Sequence, residues 1–372
     1  MYKTLAEITS ETIDLAIKIQ QIPSPTFSEK QRGVFLRELF VQKGLSDVEV
    51  DPIGNVYACV KGIGNCPPAL FTAHLDTVFP ETTDLSIRRT EDQIFGPGIS
   101  DNSLGLAGLI GLIELLRVKG NPEGDIWMVA NVCEEGLGNL RGMEAVVNRF
   151  REDVSAYIIV EGTTLGKIYH RALGVQRYRI QAETAGGHSW ANFGRPSAIH
   201  ELAFLAGKIA RLKLPVKPRS TLNIGTIQGG FSVNTIAGEA HLELDLRSES
   251  ARNLADLVER VNNLVKNANR GGDDYVRVQA TLIGLRRAGE LPQDHPLVQL
   301  AIQCLEKQGI TPVLGIGSTD ANIPISRGLP AICVGLTHGS GAHTIEEGMD
   351  LQPIMQGLQL LGSLAEEVFQ QL

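Results

Sequence analysis

Short apolar segments typical of β-strands alternate with helical patterns through the first 160 residues of this chain. The strand candidates are rich in β-branched residues and occupy 48–60, 69–73, 125–131 and 156–160. The helical patterns occupy 12–43, 102–119 and 139–149. Strands that alternate with helices predict an α/β fold, in which helices cover both faces of a central, mostly parallel sheet.

The alternation is interrupted in the middle of the chain and resumes near its end. Between about residues 170 and 285 the order becomes strand, helix, strand, strand, helix, strand, which is typical of a small ferredoxin-like α+β domain. The helices there are expected over 195–212 and 250–267, the second with Ser250 as its N-cap. The later elements are predicted as helices over 296–308 and 351–371 and strands over 312–314 and 331–334.

The length of 372 residues favours two domains, because a single core seldom grows so large. We therefore predict a main α/β domain of residues 1–167 and 286–372, with a second domain of residues 168–285 inserted into it.

Composition and charge exclude several classes of protein. The net charge is −8 and no run of Lys and Arg exceeds two residues, so neither nucleic acid nor an anionic membrane is expected as a partner. The longest apolar run, 104–113, is stopped by Glu114, which predicts a buried helix and not a membrane span. The N-terminal sequence lacks a signal-peptide pattern and the five cysteines are scattered, so we expect a cytoplasmic protein without disulfides.

Acidic residues and histidines gather where the predicted strands end. His74 and Asp76 follow the strand candidate ALFTA directly. Four further acids and one histidine lie in a glycine-rich turn or after a strand: Asp101, Glu134, Glu135, Glu161 and His343. Taken singly, each is more typical of a strand cap or a solvated loop than of a ligand. Because the carboxyl ends of parallel strands meet at one edge of a sheet, the set predicts a metal site there.

The residue types indicate what such a site would hold. Imidazole and carboxylate groups without thiolate suit zinc, with cobalt or manganese as alternatives, and five ligands with a spare acid suit two divalent ions better than one. Other chemistries lack their motif. The segment GLGNLRG has Arg141 where a dinucleotide-binding loop needs glycine, and no GxSxG of a serine hydrolase has the required strand–turn–helix context.

The segments HLDTV, GPGISD, CEEG, VEG and AHTIEE occur in this order, and together they resemble the co-catalytic zinc metallopeptidase family. Its members include peptidase T, glutamate carboxypeptidase, acetylornithine deacetylase and succinyl-diaminopimelate desuccinylase. The resemblance implies five ligands for two ions, with Asp101 bridging them: His74 and Glu161 for the first ion, Glu135 and His343 for the second.

The resemblance also implies roles in catalysis and substrate binding. Glu134 would be the general base, and Asp76 would orient the ligand His74. The run over 229–248 resembles the family's lid and dimerisation domain, which supplies an Asn and an Arg to the substrate. These fit Asn234 and Arg247, the latter as the partner of a substrate carboxylate.

Two more residues follow from the resemblance. His188, in AGGHSW, matches the lid histidine that polarises the scissile carbonyl, often from the partner subunit. A homodimer through the inserted domain is therefore expected. Asp320, in GSTDA, resembles part of a loop that lines the substrate pocket.

Two departures from the family's pattern concern the substrate. Many members have Lys-Gly starting two residues after the bridging Asp, where this chain has Ser103-Leu104, and the lid motif GGHSWANFGRPSAI is wider than that of many deacylases. We predict a two-metal hydrolase that cleaves an amide bond next to a free carboxylate in a small peptide, as a di-/tripeptidase or carboxypeptidase-like exopeptidase. An N-acyl-amino-acid deacylase is the alternative. A non-catalytic peptide-binding or amino-acid-binding relative is more remote, since it would be expected to lack Glu134 or a ligand.

Overall fold

The computed structural model describes residues 3–371, and the chain divides into two compact units. The first unit comprises Met1–Ala172 and Gly289–Leu372, and the second comprises Leu173–Ala288. The second unit therefore interrupts the first in the sequence. Each unit has hydrophobic core clusters of its own.

A mostly parallel sheet lies at the centre of the first unit. Its strands, numbered in chain order over the described residues, are β1 (Ser46–Val50), β2 (Val56–Val60), β3 (Cys66–His74), β6 (Gly124–Asn131), β7 (Ala156–Glu161), β8 (Lys167–Ala172), β15 (Gly289–Glu290), β16 (Val313–Gly317) and β17 (Ala331–Gly335). The neighbours β6, β3, β7 and β17 run parallel, whereas β1, β2 and β15 add antiparallel pairs towards the edges. The predicted α/β fold is confirmed, and the carboxyl ends of β3 and β7 meet at one edge of the sheet.

Helices cover both faces of this sheet. They are α1 (Leu5–Gln20), α2 (Lys30–Gln42), α3 (Leu104–Lys119), α4 (Arg141–Phe150), α7 (Pro296–Glu306), α8 (Asn322–Ser326) and α9 (Ile354–Gln371). Successive residues of β3 point to opposite faces, as strand geometry requires. Phe71 belongs to the core cluster that contains residues of α1, α3 and α9, whereas Leu70 belongs to the cluster that contains Met143 and Val146 of α4.

The helix α3 is the apolar helix that the sequence predicted to be buried. The segment Ile99–Lys119 is long and apolar enough to cross a membrane by length and composition alone. However, 94% of its most apolar window is buried inside the structure. A helix that is apolar on all sides packs within a core, so the prediction of a buried core helix is confirmed.

Two predicted elements are wrong in extent. The single helix predicted over 12–43 is two helices, α1 and α2, because Pro23 and Pro25 lie between them and proline opposes helical continuation. The single strand predicted over 48–60 is the hairpin of β1 and β2. Its turn is closed by Asp51 Oδ1, which accepts hydrogen bonds from three following backbone N–H groups.

A small antiparallel sheet also belongs to the first unit. Its strands are β4 (Arg88–Arg89), β5 (Gln93–Phe95), β18 (Gly339–Ser340) and β19 (Gly348–Asp350). The strand β19 pairs with both β18 and β5. Because β5 shortly precedes the turn at 99–103 and β18 and β19 flank the loop 341–347, this pairing brings that loop beside that turn.

The second unit consists of an antiparallel sheet and the helices α5 (Ala198–Ala210) and α6 (Ala251–Ala268). The sheet strands are β9 (Gly174–Thr184), β11 (Ser220–Gly229), β13 (Glu239–Ser248) and β14 (Val276–Arg286), in the order β11-β13-β9-β14. This is the ferredoxin-like arrangement that the sequence predicts. The hydroxyl of Ser250 accepts a hydrogen bond from the N–H of Asn253, so its prediction as the N-cap of α6 is confirmed. A separate short ribbon pairs β10 (Gly187–His188) with β12 (Thr235–Ile236).

Candidate metal centre

The first group of ligand candidates lies where two parallel strands end. His74 is the last residue of β3 and Glu161 is the last residue of β7. The Nε2 atom of His74 lies 3.7 Å from Glu161 Oε2 and 3.0 Å from Asp101 Oδ1. The three side chains offer ligand atoms that all lie within 4.8 Å of one another. The three side chains predicted to bind the first ion thus lie together as a compact group.

The second group shares Asp101 with the first. Asp101 lies in the turn Ile99–Ser103, directly before α3, and the Asp101–Asn102 peptide bond is cis. Its Oδ2 atom lies 3.2 Å from His343 Nε2, which in turn lies 3.0 Å from Glu135 Oε1. The two oxygens of one carboxylate therefore face two different histidines, as a bridging ligand would.

Glu134 lies beside both groups and is buried, with 6% of its surface exposed. It offers a carboxylate oxygen within 4.8 Å of ligand atoms of His74 and Glu135. Its backbone N–H donates to Asp76 Oδ1, and the N–H of Glu135 donates to Asp76 Oδ2, both at 2.9 Å. Asp76 thus fixes the backbone of the two consecutive acids.

The sequence suggested that the side chain of Asp76 orients His74, but a backbone atom of Asp76 makes the hydrogen bond to the imidazole. The atom at hydrogen-bonding distance from His74 Nδ1 is the backbone carbonyl oxygen of Asp76, at 2.9 Å. The carboxylate oxygen Oδ1 is 3.6 Å away. The carboxylate instead accepts from Glu134, Glu135 and, at 2.9 Å, the hydroxyl of Thr26. The Asp76 carbonyl therefore orients the imidazole, while its carboxylate organises the neighbouring turn.

The acidic surroundings shift the pKa values of the histidines upward. Hydrogen bonds with Asp101 and Glu135 raise the pKa of His343 to about 10. Burial opposes protonation of His74, but its contacts with Asp101, Asp76 and Glu161 outweigh burial and raise its pKa. The neighbouring carboxylates thus favour proton binding by both imidazoles.

The donor set fits divalent metal ions. It consists of imidazole and carboxylate groups, which are ligands of zinc and of its neighbours among the divalent metals. A bound cation would compensate the negative charge of the carboxylates, and any protonated ligand group would release its proton on binding. The two groups thus have the composition of a pair of cation sites joined by Asp101.

The remaining predicted residues lie elsewhere in the structure. His188 pairs with Thr235 in the ribbon of β10 and β12, and Asn234 precedes β12, where its carbonyl accepts from the N–H of Ser189 at 3.0 Å. The ribbon therefore brings His188 and Asn234 into one neighbourhood of the second unit. Both residues are exposed.

Arg247 and Asp320 differ in accessibility. Arg247, on β13, is 42% exposed in its side chain and makes a two-point ion pair with Asp245 through Nε and Nη2. Asp320 in the first unit is fully buried and accepts from Asn131 Nδ2 at 2.7 Å. A carboxylate without exposed surface cannot contact a substrate in this conformation, which argues against the predicted pocket-lining role of Asp320.

Sequence reasoning missed one acid of the centre, Glu347. This side chain is fully buried, and its Oε1 accepts from the N–H of the candidate ligand Asp101 at 2.8 Å. The motif AHTIEE contains it, but adjacent acids in a loop are ordinarily solvated, so the sequence alone gave no sign of its burial.

Comparisons with known proteins identify a family and a shared fold. Residues 70–367 match Peptidase family M20/M25/M40. The chain is 23% identical over 369 residues to a succinyl-diaminopimelate desuccinylase of Corynebacterium glutamicum, covering 97% of this chain and 98% of that one.

Solved structures share the fold at lower identity. A tripeptidase of Staphylococcus aureus superposes with a TM-score of 0.81 at 21% identity, over 98% of this chain and 99% of that one. The YxeP protein of Bacillus subtilis, described as a dinuclear metal-binding peptidase of the M20 family, superposes with a TM-score of 0.71 at 16% identity, over 99% and 100% of the two chains.

Proposed function

The chain belongs to Peptidase family M20/M25/M40, and we propose that it is a two-metal hydrolase that cleaves an amide bond next to a free carboxylate. The observation that carries this proposal is the carboxylate of Asp101, whose oxygens face His74 at 3.0 Å and His343 at 3.2 Å. A single carboxylate between two ligand groups suits a pair of adjacent ions, because each of its oxygens can bind one of them.

Two divalent ions would be held by the two groups described above, and we propose zinc, with cobalt or manganese as alternatives. His74, Glu161 and one oxygen of Asp101 would hold the first ion, and Glu135, His343 and the other oxygen would hold the second. When bound, such ions supply Lewis acidity and lower the pKa of water.

Glu134 would act as the general base. Its carboxylate lies within 4.8 Å of ligand atoms on both sides, and Asp76 holds its backbone N–H. From this position Glu134 would accept the proton of the attacking water and deliver it to the leaving amine, a two-step role that suits one positioned carboxylate. Glu135, whose side chain contacts His343, would be occupied as a ligand.

The second unit would supply substrate contacts. Arg247 suits a substrate carboxylate because a guanidinium binds it through two parallel hydrogen bonds, and Nη1 takes no part in the ion pair with Asp245. His188 would polarise the scissile carbonyl and Asn234 would assist, as the family resemblance implies.

The second unit would also form a homodimer. Large apolar side chains are exposed on its helix α5, its edge strand β11 and the loops at 190–193 and 231–233: Ile199, Phe204, Ile227, Trp190, Phe193, Phe231 and Val233. Exposed apolar residues and an unpaired strand edge are typical of surfaces that a second subunit covers.

Two substrate classes fit this chemistry. Free di- and tripeptides come first, because the lid motif is wider than that of dedicated deacylases and a tripeptidase shares the fold over nearly the whole chain. N-acyl amino acids come second, because a desuccinylase is similar in sequence over 97% of the chain.

Amine release from a panel of amides tests the proposal. The panel contains free di- and tripeptides, the same peptides with amidated C-termini, and N-acetyl and N-succinyl amino acids, with Zn²⁺, Co²⁺ or Mn²⁺ supplied. We expect cleavage of the free peptides and its loss on amidation, because amidation removes the carboxylate that Arg247 would bind. Cleavage of only the acylated amino acids would favour the deacylase, and no cleavage of any member would contradict the proposed activity.

A further inference from the structure

Glu347 has an unusual environment for a carboxylate near the protein surface. It has no exposed surface, and its oxygens accept from the N–H of Gly98 at 3.2 Å and from the N–H of Ser100, the hydroxyl of Ser100 and the N–H of Asp101 at 2.8 Å each. All of these donors are neutral. Burying a carboxylate is costly unless its hydrogen bonds are satisfied, so this set of donors is what permits Glu347 to lie there.

The side-chain hydrogen bonds of Glu347 go to residues 98–101, the segment that leads into the turn and carries Asp101. Three of them reach Oε1 from Ser100 and Asp101, and the fourth reaches Oε2 from Gly98. The backbone of the turn thus surrounds one carboxylate. These hydrogen bonds hold the backbone of Asp101 in place and so fix the direction of its Cα–Cβ bond.

The same residue is tied to the loop that carries His343. Glu347 lies four residues after His343, and its own N–H donates to the carbonyl of Thr344 at 3.1 Å. Its carbonyl accepts from the N–H of Gly96 at 2.8 Å, next to the pairing of β19 with β5. Glu347 therefore connects the segments of two predicted ligands that are more than 200 residues apart in sequence.

From these contacts we infer that Glu347 is a positioning residue, which sets the spacing between Asp101 and His343 and thereby the affinity for the second metal ion. The inference rests on the proposed two-metal site. A group that orients a ligand typically changes metal affinity 10- to 100-fold when it is replaced.

The substitution Glu347→Gln tests this inference with little change of shape. Both oxygens of Glu347 accept hydrogen bonds, whereas a glutamine has only one acceptor oxygen. The NH₂ group of the glutamine would therefore face N–H donors and could not accept from them. The adjacent Glu346→Gln is the matched control, because the side chain of Glu346 is 75% exposed. Ser100→Ala is a milder variant that removes only the hydroxyl donor.

Each full-length variant, stripped of metal, is titrated with Co²⁺, and binding is followed by visible absorption and by calorimetry. The thermal unfolding midpoint of the metal-free protein is measured in parallel. We expect Glu347→Gln to weaken the second Co²⁺ about 10- to 100-fold and to alter the absorption of that ion, with Glu346→Gln like wild type. Ser100→Ala should weaken the same ion about fivefold, as loss of one hydrogen bond does.

The outcomes separate this inference from the proposed function. If Glu347→Gln lowers the unfolding midpoint but binds two Co²⁺ with wild-type affinity, its role is structural only and the inference is overturned. If Glu347→Gln does not fold, wild-type Co²⁺ affinity in Ser100→Ala overturns it equally. A wild-type protein that binds fewer than two Co²⁺ contradicts the two-metal site itself.

Discussion

The carboxylate of Asp76 accepts hydrogen bonds from the consecutive N–H groups of Glu134 and Glu135. Consecutive residues project their side chains in different directions, so fixing this turn would let Glu135 serve as the proposed ligand while Glu134 remains for the proposed proton transfer. Burial would raise the pKa of Asp76, but His74 and these N–H groups outweigh burial and lower it, so the carboxylate stays ionised as an acceptor.

Replacement of Asp76 by asparagine should lower kcat by about 10- to 100-fold. The asparagine side chain would offer one acceptor oxygen to the two N–H groups, so the turn that holds Glu134 would loosen. Steady-state kinetics on the cleaved substrate checks this, with Asp84→Asn as the control because Asp84 accepts from Ser86 in an exposed turn. Wild-type kcat in Asp76→Asn would show that the turn does not depend on this carboxylate.

The sequence predicted which side chains come together at the candidate metal centre but not which of them are buried or which of their atoms make the contacts. His74 and Glu161 could be identified because they end adjacent strands, and an apolar run ending in a polar residue is visible in the sequence. The burial of Asp320 and Glu347 could not be identified, since it depends on segments distant in sequence packing over them.

Among the elements, helices α1, α2 and α3 are joined by one buried carboxylate. Glu114 of α3 forms ion pairs with three cations. Lys43, just after α2, lies 2.6 Å from it, and Lys3, just before α1, lies 3.6 Å from it. Arg117, in α3 itself, lies 3.1 Å from it. Burial would raise the pKa of Glu114, but these cations outweigh burial and lower it. The pair network therefore stabilises the folded chain only while Glu114 is ionised.

Replacement of Glu114 by glutamine should lower the free energy of unfolding by about 1 kcal/mol at neutral pH. The pKa of Glu114 is lower in the folded protein than in the unfolded chain, where a glutamate has a pKa of about 4.3. The ion pairs therefore stabilise the protein fully above that unfolded pKa, and this stabilisation is lost as the pH falls through the lower pKa of the folded state. Urea unfolding of wild type and variant at pH 7 and pH 3 measures the difference, which should shrink towards zero at pH 3.

The exposed Glu38 of α2 provides the control for that experiment. Glu38→Gln should change the free energy of unfolding little at either pH. A difference between wild type and Glu114→Gln that is equal at pH 7 and pH 3 would show that the effect comes from packing and not from charge.

Elements with their own periodicity could be predicted, whereas elements that exist only through pairing could not. The apolar helix α3 and the capped helix α6 have clear local signals. The two-residue strands β10 and β12 have none, because residues 187–188 are strand only by virtue of facing 235–236. Such short pairs depend on tertiary contacts that no local pattern encodes.

At the scale of the whole molecule, the proposal assigns the metal ligands to the first unit and His188 to the second. If His188 acts across a homodimer, a subunit with His188→Ala and a partner with Glu134→Gln complement each other. Each variant alone should be inactive, but a hybrid dimer contains one site with both an intact Glu134 and an intact His188.

Subunit exchange between these two inactive variants should therefore restore activity to about a quarter of the wild-type level, since half of the dimers are hybrids with one working site in two. Activity is measured before and after exchange, with each variant exchanged against itself as the control. No recovery would show that His188 works within its own subunit or not in the reaction at all.

If Glu134 is the base and Glu135 a ligand, the two variants Glu134→Gln and Glu135→Gln should differ in metal content as well as in turnover. We expect Glu134→Gln to lose about 10²- to 10⁴-fold in kcat while it keeps two bound ions, because a base and not a ligand is removed. Glu135→Gln should lose activity and bind fewer ions, because Glu135 contacts His343 in the second group. Substantial turnover in Glu134→Gln, or loss of metal from it, would show that Glu134 is not the general base.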